Sequence, residues 1–306
     1  MSICIIGMGQ MGKTHLDMVK KLSISSNIVL VDSDKEKLSD YKFLTYQDYH
    51  DAISNNANFD AIHVCLPTNL HFPVVKDLIK NSNSNILVEK PFTLNSQEAN
   101  NLVSLIKNGS KRVFMCGLVE RFYHPFTILR DWSKSRRNNI VEYKLLRRTK
   151  KPKRSGWFAD KHKGGDVLLD LGIHDLDLLW WFSNKNINKI VSVKRNKDRV
   201  KIKAVLENNA RVEMYFGWDL SDSNKDWVVN EITISTVREK AAYYSAGKKL
   251  MLGNNKHTVK TERYPDAYRE EIRHFYDCIK KGKKCRIDFN EATKSMTMLS
   301  TITNYE

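Results

Sequence analysis

Three ionisable residues interrupt the most apolar stretch of the chain. Asp170, His174 and Asp177 stand at positions i, i+4 and i+7 of a segment dominated by Leu, Ile, Val, Trp and Phe, and in a helix they would share one face. A histidine titrates near neutral pH and can accept or deliver a proton. Ionisable groups are costly among apolar side chains unless they are paired or functional. The pattern therefore predicts either a structural ion pair or a proton-transfer site.

A lysine follows another apolar run, in the triplet Glu89-Lys90-Pro91. The run is typical of a parallel strand, and the carboxyl ends of parallel strands form the edge at which open α/β sheets bind their ligands. An ammonium group at that edge can stabilise negative charge that develops on a substrate oxygen. The alternative interpretation is a solvated surface lysine.

A glycine motif, Gly7-x-Gly9-x-x-Gly12, comes directly after the first predicted strand and opens a helix. Its glycines allow a tight turn, a close approach of a pyrophosphate to the backbone, and tight packing of helix on strand. The helix N-terminus would then face the phosphates. We expect this loop, including Gln10 and Met11, to bind a dinucleotide.

Asp32 ends the second predicted strand, 20 residues after Gly12. A carboxylate there can accept hydrogen bonds from both ribose hydroxyls of a dinucleotide. It would repel a 2′-phosphate, and the next residues include Lys35 but no arginine, so we expect NAD as the cofactor and not NADP. The alternative is that the glycines serve only a turn and that Asp32 caps a helix.

Alternating strands and helices position these residues in the first part of the chain. Short apolar runs predict strands at 3–7, 28–32, 61–66, 86–89 and 113–117, separated by helix-length segments. This rhythm predicts a parallel sheet with crossover helices. We therefore expect an NAD-binding α/β Rossmann domain over residues 1–118.

The pattern changes beyond residue 118. A helix is expected at 166–182, and strands are expected near 140–148, 189–195, 199–206, 210–218, 227–237 and 240–245. Short turns between these strands favour antiparallel pairing. Two further helices are expected at 266–281 and from 291 to about 303. Residues 119–306 are thus predicted to form an α+β domain with a large, mostly antiparallel open sheet, and the active site is expected in the cleft between the domains.

Composition narrows the choice of partners. The 306 residues carry a net charge of +16, but no nucleic-acid-binding module accompanies the lysines, so we interpret them as solvated surface. No apolar stretch approaches the length of a membrane span. The five cysteines include no CxxC pair, which indicates reduced thiols and no metal site. We expect a cytoplasmic protein without a nucleic-acid or membrane partner.

Together the motifs resemble the glucose-fructose oxidoreductase/inositol dehydrogenase family (Gfo/Idh/MocA). Its members carry an N-terminal GxGxxG, an EKP at the fifth strand, and a glycine pair followed by D-x-G-x-H in the second domain, which corresponds here to residues 164–174. The stretch Pro67-Thr68-Asn69-x-His71 is similar to the family's P-x-x-x-H, and Glu271-Ile-x-x-Phe275 also matches. The resemblance spans nearly the whole chain.

The resemblance implies NAD-dependent hydride transfer to or from a sugar-like substrate. It implies that Lys90 lies close to the reacting hydroxyl, that Asp170 lies near the substrate, and that His174 acts as general acid and base. It also implies a cis peptide bond before Pro91. The dinucleotide contacts that it implies after the fourth and fifth strands are Pro67, Thr68, His71, Glu89 and Lys90.

Residues 117–125 resemble an interdomain stretch of relatives that act on nucleotide-linked amino sugars at C3, with Tyr123 and His124 where those relatives have one asparagine. The leading prediction is therefore oxidation at C3 of a UDP-linked amino sugar. In the family the open face of the second sheet mediates oligomerisation, and a sheet face without covering helices needs a partner, so we expect a homodimer or homotetramer. The predicted substrate-binding side chains are Lys90, Arg121, Tyr123, Arg148, Trp157, Asp170 and His174.

Two alternatives stay open. The first is a ketoreductase or dehydrogenase of a deoxysugar or cyclitol, which differs in substrate and direction. The second is a non-catalytic regulator that senses NAD. Lys90, Asp170 and His174 argue against that regulator, because a sensor needs only the Rossmann half.

Overall fold

The computed structural model describes residues 1–56, 58–152, 160, 163–164, 166–246, 248–253, 255–258 and 264–305. The chain divides into two compact units. Unit 1 comprises Met1–Val119 and Tyr264–Thr293, and unit 2 comprises Glu120–Arg263 and Lys294–Glu306. Within the described ranges, no helix is both long enough and apolar enough to cross a membrane.

Buried apolar runs form the strands of unit 1. In chain order the strands are β1 (Ser2–Ile6), β2 (Asn27–Val31), β3 (Leu44–Tyr46), β4 (Ala61–Val64), β5 (Asn85–Glu89) and β6 (Phe114–Gly117). They pair in parallel in the order β3-β2-β1-β4-β5-β6, which confirms the predicted Rossmann sheet. The sequence patterns missed β3, because this short edge strand exposes 53% of Leu44 and contains no buried apolar run.

Four helices connect these strands: α1 (Gln10–Lys21), α2 (Tyr49–Asn55), α3 (Thr68–Asn81) and α4 (Ser96–Leu105). The side chains of Asp48 and Asn95 cap the first turns of α2 and α4. In contrast, α1 and α3 begin without a side-chain cap from the described residues. Their first N–H groups are left for other acceptors, at the sheet edge where α/β proteins bind ligands.

Unit 2 begins with α5 (His124–Arg136) and β7 (Ile140–Lys150). A single π-helical turn, Leu168–Gly172, leads into α6 (Ile173–Ser183), so the predicted helix at 166–182 starts irregularly. The remaining strands are β8 (Ile187–Arg195), β9 (Arg199–Leu206), β10 (Arg211–Leu220), β11 (Val228–Thr236), β12 (Lys240–Tyr244), β13 (Lys249–Leu252) and β14 (Asn255–Thr258). The last two are four-residue strands that the sequence patterns missed.

These strands form one sheet in the order β14-β13-β12-β11-β7-β10-β9-β8. Neighbours are antiparallel except for the parallel pair β7 and β10, which confirms a mostly antiparallel sheet. One face packs on α5, α6 and the π turn. The opposite face carries charges, such as Lys203 in an ion pair with Glu213 at 3.2 Å and the exposed Lys144 and Lys201.

Two helices complete the chain, α7 (Tyr264–Lys281) and α8 (Phe289–Thr303). Helix α7 belongs to unit 1, where it packs against α1, and α8 begins in unit 1 and ends in unit 2. The division therefore differs from the predicted single domain over 119–306. The amphipathic pattern of Ile272, Phe275 and Tyr276 predicted a helix, but such a pattern does not indicate which core receives its apolar face.

Candidate active site

The glycine motif forms a close-packed loop between β1 and α1. Gly7 has φ +94°, and a Cβ atom there would lie 2.5 Å from the carbonyl oxygen of Cys65. A Cβ atom on Gly12 would lie 1.9 Å from the carbonyl oxygen of Gly7. Gln10 is exposed and Met11 half-buried at the start of α1, whose first turn contains no acidic residue. This uncapped helix N-terminus fits the pyrophosphate of a dinucleotide.

Asp32 follows β2 and is 7% exposed. Its carboxylate accepts hydrogen bonds from the backbone N–H of Met8 at 2.7 Å and of Asp34 at 3.0 Å. The ammonium group of Lys37 lies 3.2 Å from its Oδ1. The cation beside Asp32 is therefore Lys37 and not Lys35, which we singled out from the sequence. The carboxylate is suited to accept from ribose hydroxyls, and Lys37 moderates its negative charge.

The uncapped N-terminus of α3 follows β4, with Pro67 preceding the nearly buried Thr68. The His71 ring in α3 is fully buried, with Nδ1 2.7 Å from the Pro91 carbonyl oxygen and Nε2 2.8 Å from that of Leu66. Burial lowers the pKa of His71. The polar atoms of His71, which we predicted to contact the dinucleotide, thus join the loop after β4 to the loop after β5.

Lys90 is half-buried directly after β5, and its peptide bond to Pro91 is cis. The preceding residue, Glu89, is 5% exposed. Its Oε2 accepts from the backbone N–H of Lys90 at 3.2 Å, and its Oε1 lies 2.9 Å from Nε2 of His15. The carboxylate of Glu89, which we predicted to contact the dinucleotide, therefore binds groups of unit 1 itself.

A buried chain of hydrogen bonds continues from Glu89. Nδ1 of His15 lies 2.9 Å from Nδ1 of His63, whose Nε2 lies 2.8 Å from the hydroxyl oxygen of Tyr276. Burial lowers the pKa of His63 well below its usual range. With Glu89 ionised and both rings neutral, one set of proton positions satisfies the chain, in which Tyr276 donates to His63, His63 to His15, and His15 to Glu89. The chain holds the backbone at Lys90 through Glu89.

Glu271 of α7 reaches the same region of unit 1. Its side chain is fully buried, neither carboxylate oxygen has a hydrogen-bond partner among the described residues, and it comes within 4.8 Å of the polar atoms of His15 and Glu89. Burial and the charge of Glu89 raise the pKa of Glu271 well above its usual range. This direction favours the protonated form of Glu271. Sequence analysis recorded Glu271 only as a family match and missed His15 and His63, since isolated histidines carry no spacing signal.

In unit 2, Asp170 and His174 are more exposed than the residues around them. Over residues 167–179, every side chain is buried except these two, which are half-buried. Trp218 of β10 donates from Nε1 to Oδ2 of Asp170 at 3.3 Å. A Cβ atom on Gly172 would lie 3.1 Å from the Phe216 ring, so glycine lets the π turn lie directly on β10. The π turn and the start of α6 thus place one half-buried carboxylate and one half-buried imidazole within an otherwise buried apolar segment.

The other ionisable residues of α6 are buried in ion pairs. Arg121 is 1% exposed and binds Asp177 with two hydrogen bonds, of 2.8 and 2.7 Å. Arg147 of β7 binds Asp175 at 2.8 Å and Glu120 at 2.6 Å. Arg121, which we predicted to bind substrate, thus has its guanidinium group buried against Asp177. Sequence analysis missed Arg147 as a structural residue because it lies in a basic run typical of surface.

Two further predicted substrate contacts also bind within unit 2. Tyr123, which we predicted to bind substrate, is 5% exposed, and its hydroxyl oxygen lies 3.1 Å from that of Tyr243. Arg148 donates from Nε to Oδ1 of Asp219 at 2.7 Å, and this interaction raises the pKa of Arg148. Trp157, the remaining predicted contact, lies outside the described residues.

A cavity of about 460 Å³ opens beside Trp218 in unit 2. Its lining includes the cations Lys151 and Arg199. Both are already paired, Lys151 with Asp198 at 2.7 Å and Arg199 with Asp219 at 3.0 Å. The lining is therefore close to charge balance, and its cations alone do not make it an anion site.

Comparison with known proteins agrees with the two parts of the fold. Residues 1–117 match the family model described as "Oxidoreductase family, NAD-binding Rossmann fold". Residues 139–230 match the one described as "GFO/IDH/MocA C-terminal domain".

Among similar proteins, a myo-inositol 2-dehydrogenase of Thermotoga maritima is 25% identical over 62% of this chain and 57% of its own length. A UDP-N-acetylglucosamine 3-dehydrogenase of Acidithiobacillus ferrooxidans is 27% identical over 57% of this chain and 51% of its own length. The chain thus aligns with little more than half the length of these relatives. An inositol 2-dehydrogenase of Corynebacterium glutamicum is 22% identical over 91% of this chain and 85% of its own length.

Solved structures share the fold. The UDP-N-acetylglucosamine 3-dehydrogenase of Acidithiobacillus ferrooxidans has a TM-score of 0.80 at 19% identity, covering 99% of this chain and 96% of that one. A levoglucosan dehydrogenase in complex with NADH and levoglucosan has a TM-score of 0.83 at 13% identity, covering 99% and 96%.

Proposed function

The chain belongs to the Gfo/Idh/MocA oxidoreductase family, and we propose that it transfers a hydride between NAD and the carbinol carbon of a sugar-like substrate. The strongest support is in unit 1, where an uncapped helix follows the glycine loop and a half-buried lysine follows β5. Parallel strands direct both features to the same edge of the sheet. Unit 2 adds two accessible ionisable residues, Asp170 and His174.

Oxidation of an alcohol requires that a hydride leave the carbon and that the hydroxyl proton be taken up by a base. NAD supplies the hydride acceptor when it is bound. We assign His174 to accept the hydroxyl proton and Asp170 to orient the imidazole and stabilise its protonated form. The ammonium group of Lys90 stabilises negative charge on the substrate oxygen. In the reductive direction, His174 returns the proton to that oxygen.

For the substrate, we propose a UDP-linked amino sugar that is oxidised at C3. Support comes from the resemblance of residues 117–125 and from a relative named as a UDP-N-acetylglucosamine 3-dehydrogenase. A cyclitol of the inositol type is the second candidate, which is favoured by a relative named as an inositol 2-dehydrogenase that aligns with 91% of this chain.

The test is a fluorescence titration of the purified protein with NADH and NADPH, followed by turnover assays at the nicotinamide absorbance. The substrate panel contains UDP-N-acetylglucosamine, other UDP-sugars, free sugars, deoxysugars and inositols. Tight NADH binding with turnover of a UDP-amino sugar supports the proposal, and turnover of inositol alone selects the second candidate. NADH binding without turnover of any polyol would favour a regulator that senses NAD.

A further inference from the structure

Two cysteines and one histidine meet at the end of α7 in unit 1. His274 and Cys278 are four residues apart and share one face of the helix. Gly282, with φ +60°, ends the helix and turns the chain back, so that Cys285 returns to the same place. The histidine nitrogen and the two sulfurs lie within 4.8 Å of one another.

The donor atoms have the spacing of metal ligands. Nε2 of His274 lies 3.5 Å from Sγ of Cys278. In a tetrahedral zinc site, bonds of about 2.0 Å to nitrogen and about 2.3 Å to sulfur place these two ligand atoms roughly 3.5 Å apart. Two thiolates and one imidazole also form a donor set that prefers zinc-like cations over magnesium or calcium.

The surroundings allow a cation to enter. Both cysteines are largely buried, at 5% and 7% exposure, but His274 is half-buried and residues 281–284 are exposed. At present Nε2 of His274 accepts from the backbone N–H of Arg286 at 2.9 Å, and the Cys278 thiol donates to the Lys284 carbonyl oxygen at 3.6 Å. These bonds already hold the loop over the cluster, so the donors are preorganised, and a cation would replace both bonds.

Charged side chains surround the cluster, and some of them pair with one another: Lys281 lies 3.7 Å from Asp277, and Lys284 lies 4.0 Å from Asp288. Lys281, Arg286 and Asp277 interact electrostatically with His274 and Cys278. Asp288 interacts in the same way with Cys285. Lys283 is a further exposed cation of this loop, so the surroundings carry net positive charge. A divalent cation that displaces the protons of both thiols leaves the net charge of the site unchanged, so its binding adds no large repulsion.

We propose that His274, Cys278 and Cys285 form a three-ligand site for a tetrahedral, thiophilic divalent cation of the zinc type, with the fourth position open to water. The site is separate from the glycine loop and from Lys90. It lies on the loop that adds to the edge of the Rossmann sheet, where Cys116 donates its N–H to the Ile287 carbonyl oxygen at 3.0 Å and Met115 bridges to Asp288. A bound cation would tie the last turn of α7 to this loop and stabilise unit 1.

The experiment uses the full chain without a histidine tag, reduced with a phosphine, freed of metal with a chelator, and kept anaerobic. Titration with Co²⁺ should give a sulfur-to-metal charge-transfer band and visible bands of tetrahedral Co²⁺, saturating at one ion per chain and bleached by Zn²⁺. Zn²⁺ should also raise the unfolding temperature and protect Cys278 and Cys285 from alkylation, as read by peptide mass spectrometry.

Three alanine variants decide the assignment. Cys278→Ala and Cys285→Ala should each weaken Co²⁺ binding by at least about a hundredfold, since loss of even an outer-shell partner weakens metal sites about 10–100-fold. Cys4→Ala, which removes a fully buried thiol of β1 away from the cluster, should bind Co²⁺ as the unmodified protein does. Circular dichroism and NADH binding report whether each variant is folded.

The proposal is overturned if the folded, reduced protein binds Co²⁺ without a charge-transfer band, since the ion then has no thiolate ligand. It is equally overturned if that band persists in both Cys278→Ala and Cys285→Ala, or if Zn²⁺ stabilises these variants as much as it stabilises Cys4→Ala.

Discussion

At the scale of single residues, accessibility separates the ionisable groups of α6 and its π turn into two classes. Asp170 and His174 are half-buried, whereas Asp175 and Asp177 are buried against arginines. An aspartate that is held by a buried arginine cannot change its protonation state without leaving a buried charge unpaired. His174 is half-buried, and we propose that it exchanges a proton with the substrate.

His174→Gln should therefore reduce kcat by about 10²–10⁴-fold, the usual contribution of a general acid or base. NADH affinity should stay within about twofold, because the substitution lies outside the Rossmann unit. Steady-state kinetics and fluorescence titration measure the two effects. His50→Gln, at an exposed histidine of α2, is the matched control and should retain full turnover. Unaltered turnover in His174→Gln would remove this residue from the mechanism.

We predict that Asp32 and Lys37 affect the choice of dinucleotide in opposite directions. Asp32→Ala should weaken NADH binding by about 10–100-fold, since hydrogen bonds to a charged group contribute about 1.5–3 kcal/mol. Lys37→Ala removes the cation 3.2 Å from that carboxylate and should increase the preference for NADH over NADPH. Parallel titrations of each variant with both dinucleotides measure these ratios. Tighter binding of NADPH than NADH by the unmodified protein would contradict this interpretation of Asp32.

Glu271 should make stability depend on pH. Burial and the charge of Glu89 raise the pKa of Glu271 in the folded chain. An unfolded glutamate has a pKa of about 4.3. Above that pH, the folded chain therefore holds one proton more than the unfolded chain. Below that pH, Glu271 makes its full contribution to the free energy of unfolding. It is lost as pH rises towards the folded pKa, by about 1.4 kcal/mol per pH unit.

Chemical denaturation between pH 5 and 7 tests this dependence. Glu271→Gln has no proton to bind, so the unmodified protein should lose stability relative to this variant as pH rises through the window. Glu270→Gln, at the neighbouring half-exposed carboxylate, should follow the unmodified protein. Parallel pH profiles for the unmodified protein and Glu271→Gln would show that Glu271 is ionised in the folded state.

At the scale of elements, the π turn before α6 and the arginines outside α6 determine which of its ionisable side chains are half-buried and which are buried. The π turn at Leu168–Gly172 leads into α6, and Asp170 within it and His174 after it are the half-buried residues. Arginines from outside the helix bind the buried acids of α6: Arg121 precedes α5, and Arg147 lies in β7. These pairs fix α6 within unit 2 and so fix the direction of the π turn.

Removing one partner of the Arg121–Asp177 pair should reduce the stability of the protein. Asp177→Leu alone leaves Arg121 buried without this partner and should destabilise the protein by about 3–5 kcal/mol. The double variant Arg121→Met with Asp177→Leu removes both charges and should recover most of that loss. Denaturant unfolding of the two single variants and the double variant measures the coupling. Additive losses in the double variant would show that the pair does not act as a unit.

At the scale of the whole molecule, the uncovered face of the second sheet bears on assembly. We expected this face to require a partner, but it carries charges that pair with one another, such as Lys203 with Glu213. Charges that pair with one another are stable in water. This face therefore does not need to bind a second chain in order to bury apolar surface. Exposed apolar side chains in unit 2 include Val191 at 50% and Trp227 at 60%, and these are the positions that an interface would cover.

We still predict a homodimer or homotetramer, which light scattering after size-exclusion chromatography measures directly. If the charged face mediates assembly, Lys203→Glu should place like charges beside Glu213 and shift the chain towards monomer, most strongly at low ionic strength. Val237→Ser, at an 85% exposed residue outside the strands, is the control and should leave the mass unchanged. A monomeric unmodified protein at micromolar concentration would contradict the prediction.

The sequence by itself determined the fold class, the cofactor motif and the candidate residues Lys90, Asp170 and His174. These features are local, because a strand, a glycine turn or a helix is specified by periodicity and residue type within a short window. The change in local pattern near residue 118 did not show that Tyr264–Thr293 also belong to the first unit.

Only the tertiary structure decided which residues meet. Arg121 pairs with Asp177, and His63 pairs with His15, across tens of residues. Helix α7 belongs to the same unit as Met1–Val119. A sequence pattern shows that a side chain must be buried or paired, but it does not name the partner. Long-range packing selects the partner, since a buried charge or polar group gains its stability from the particular group that it contacts.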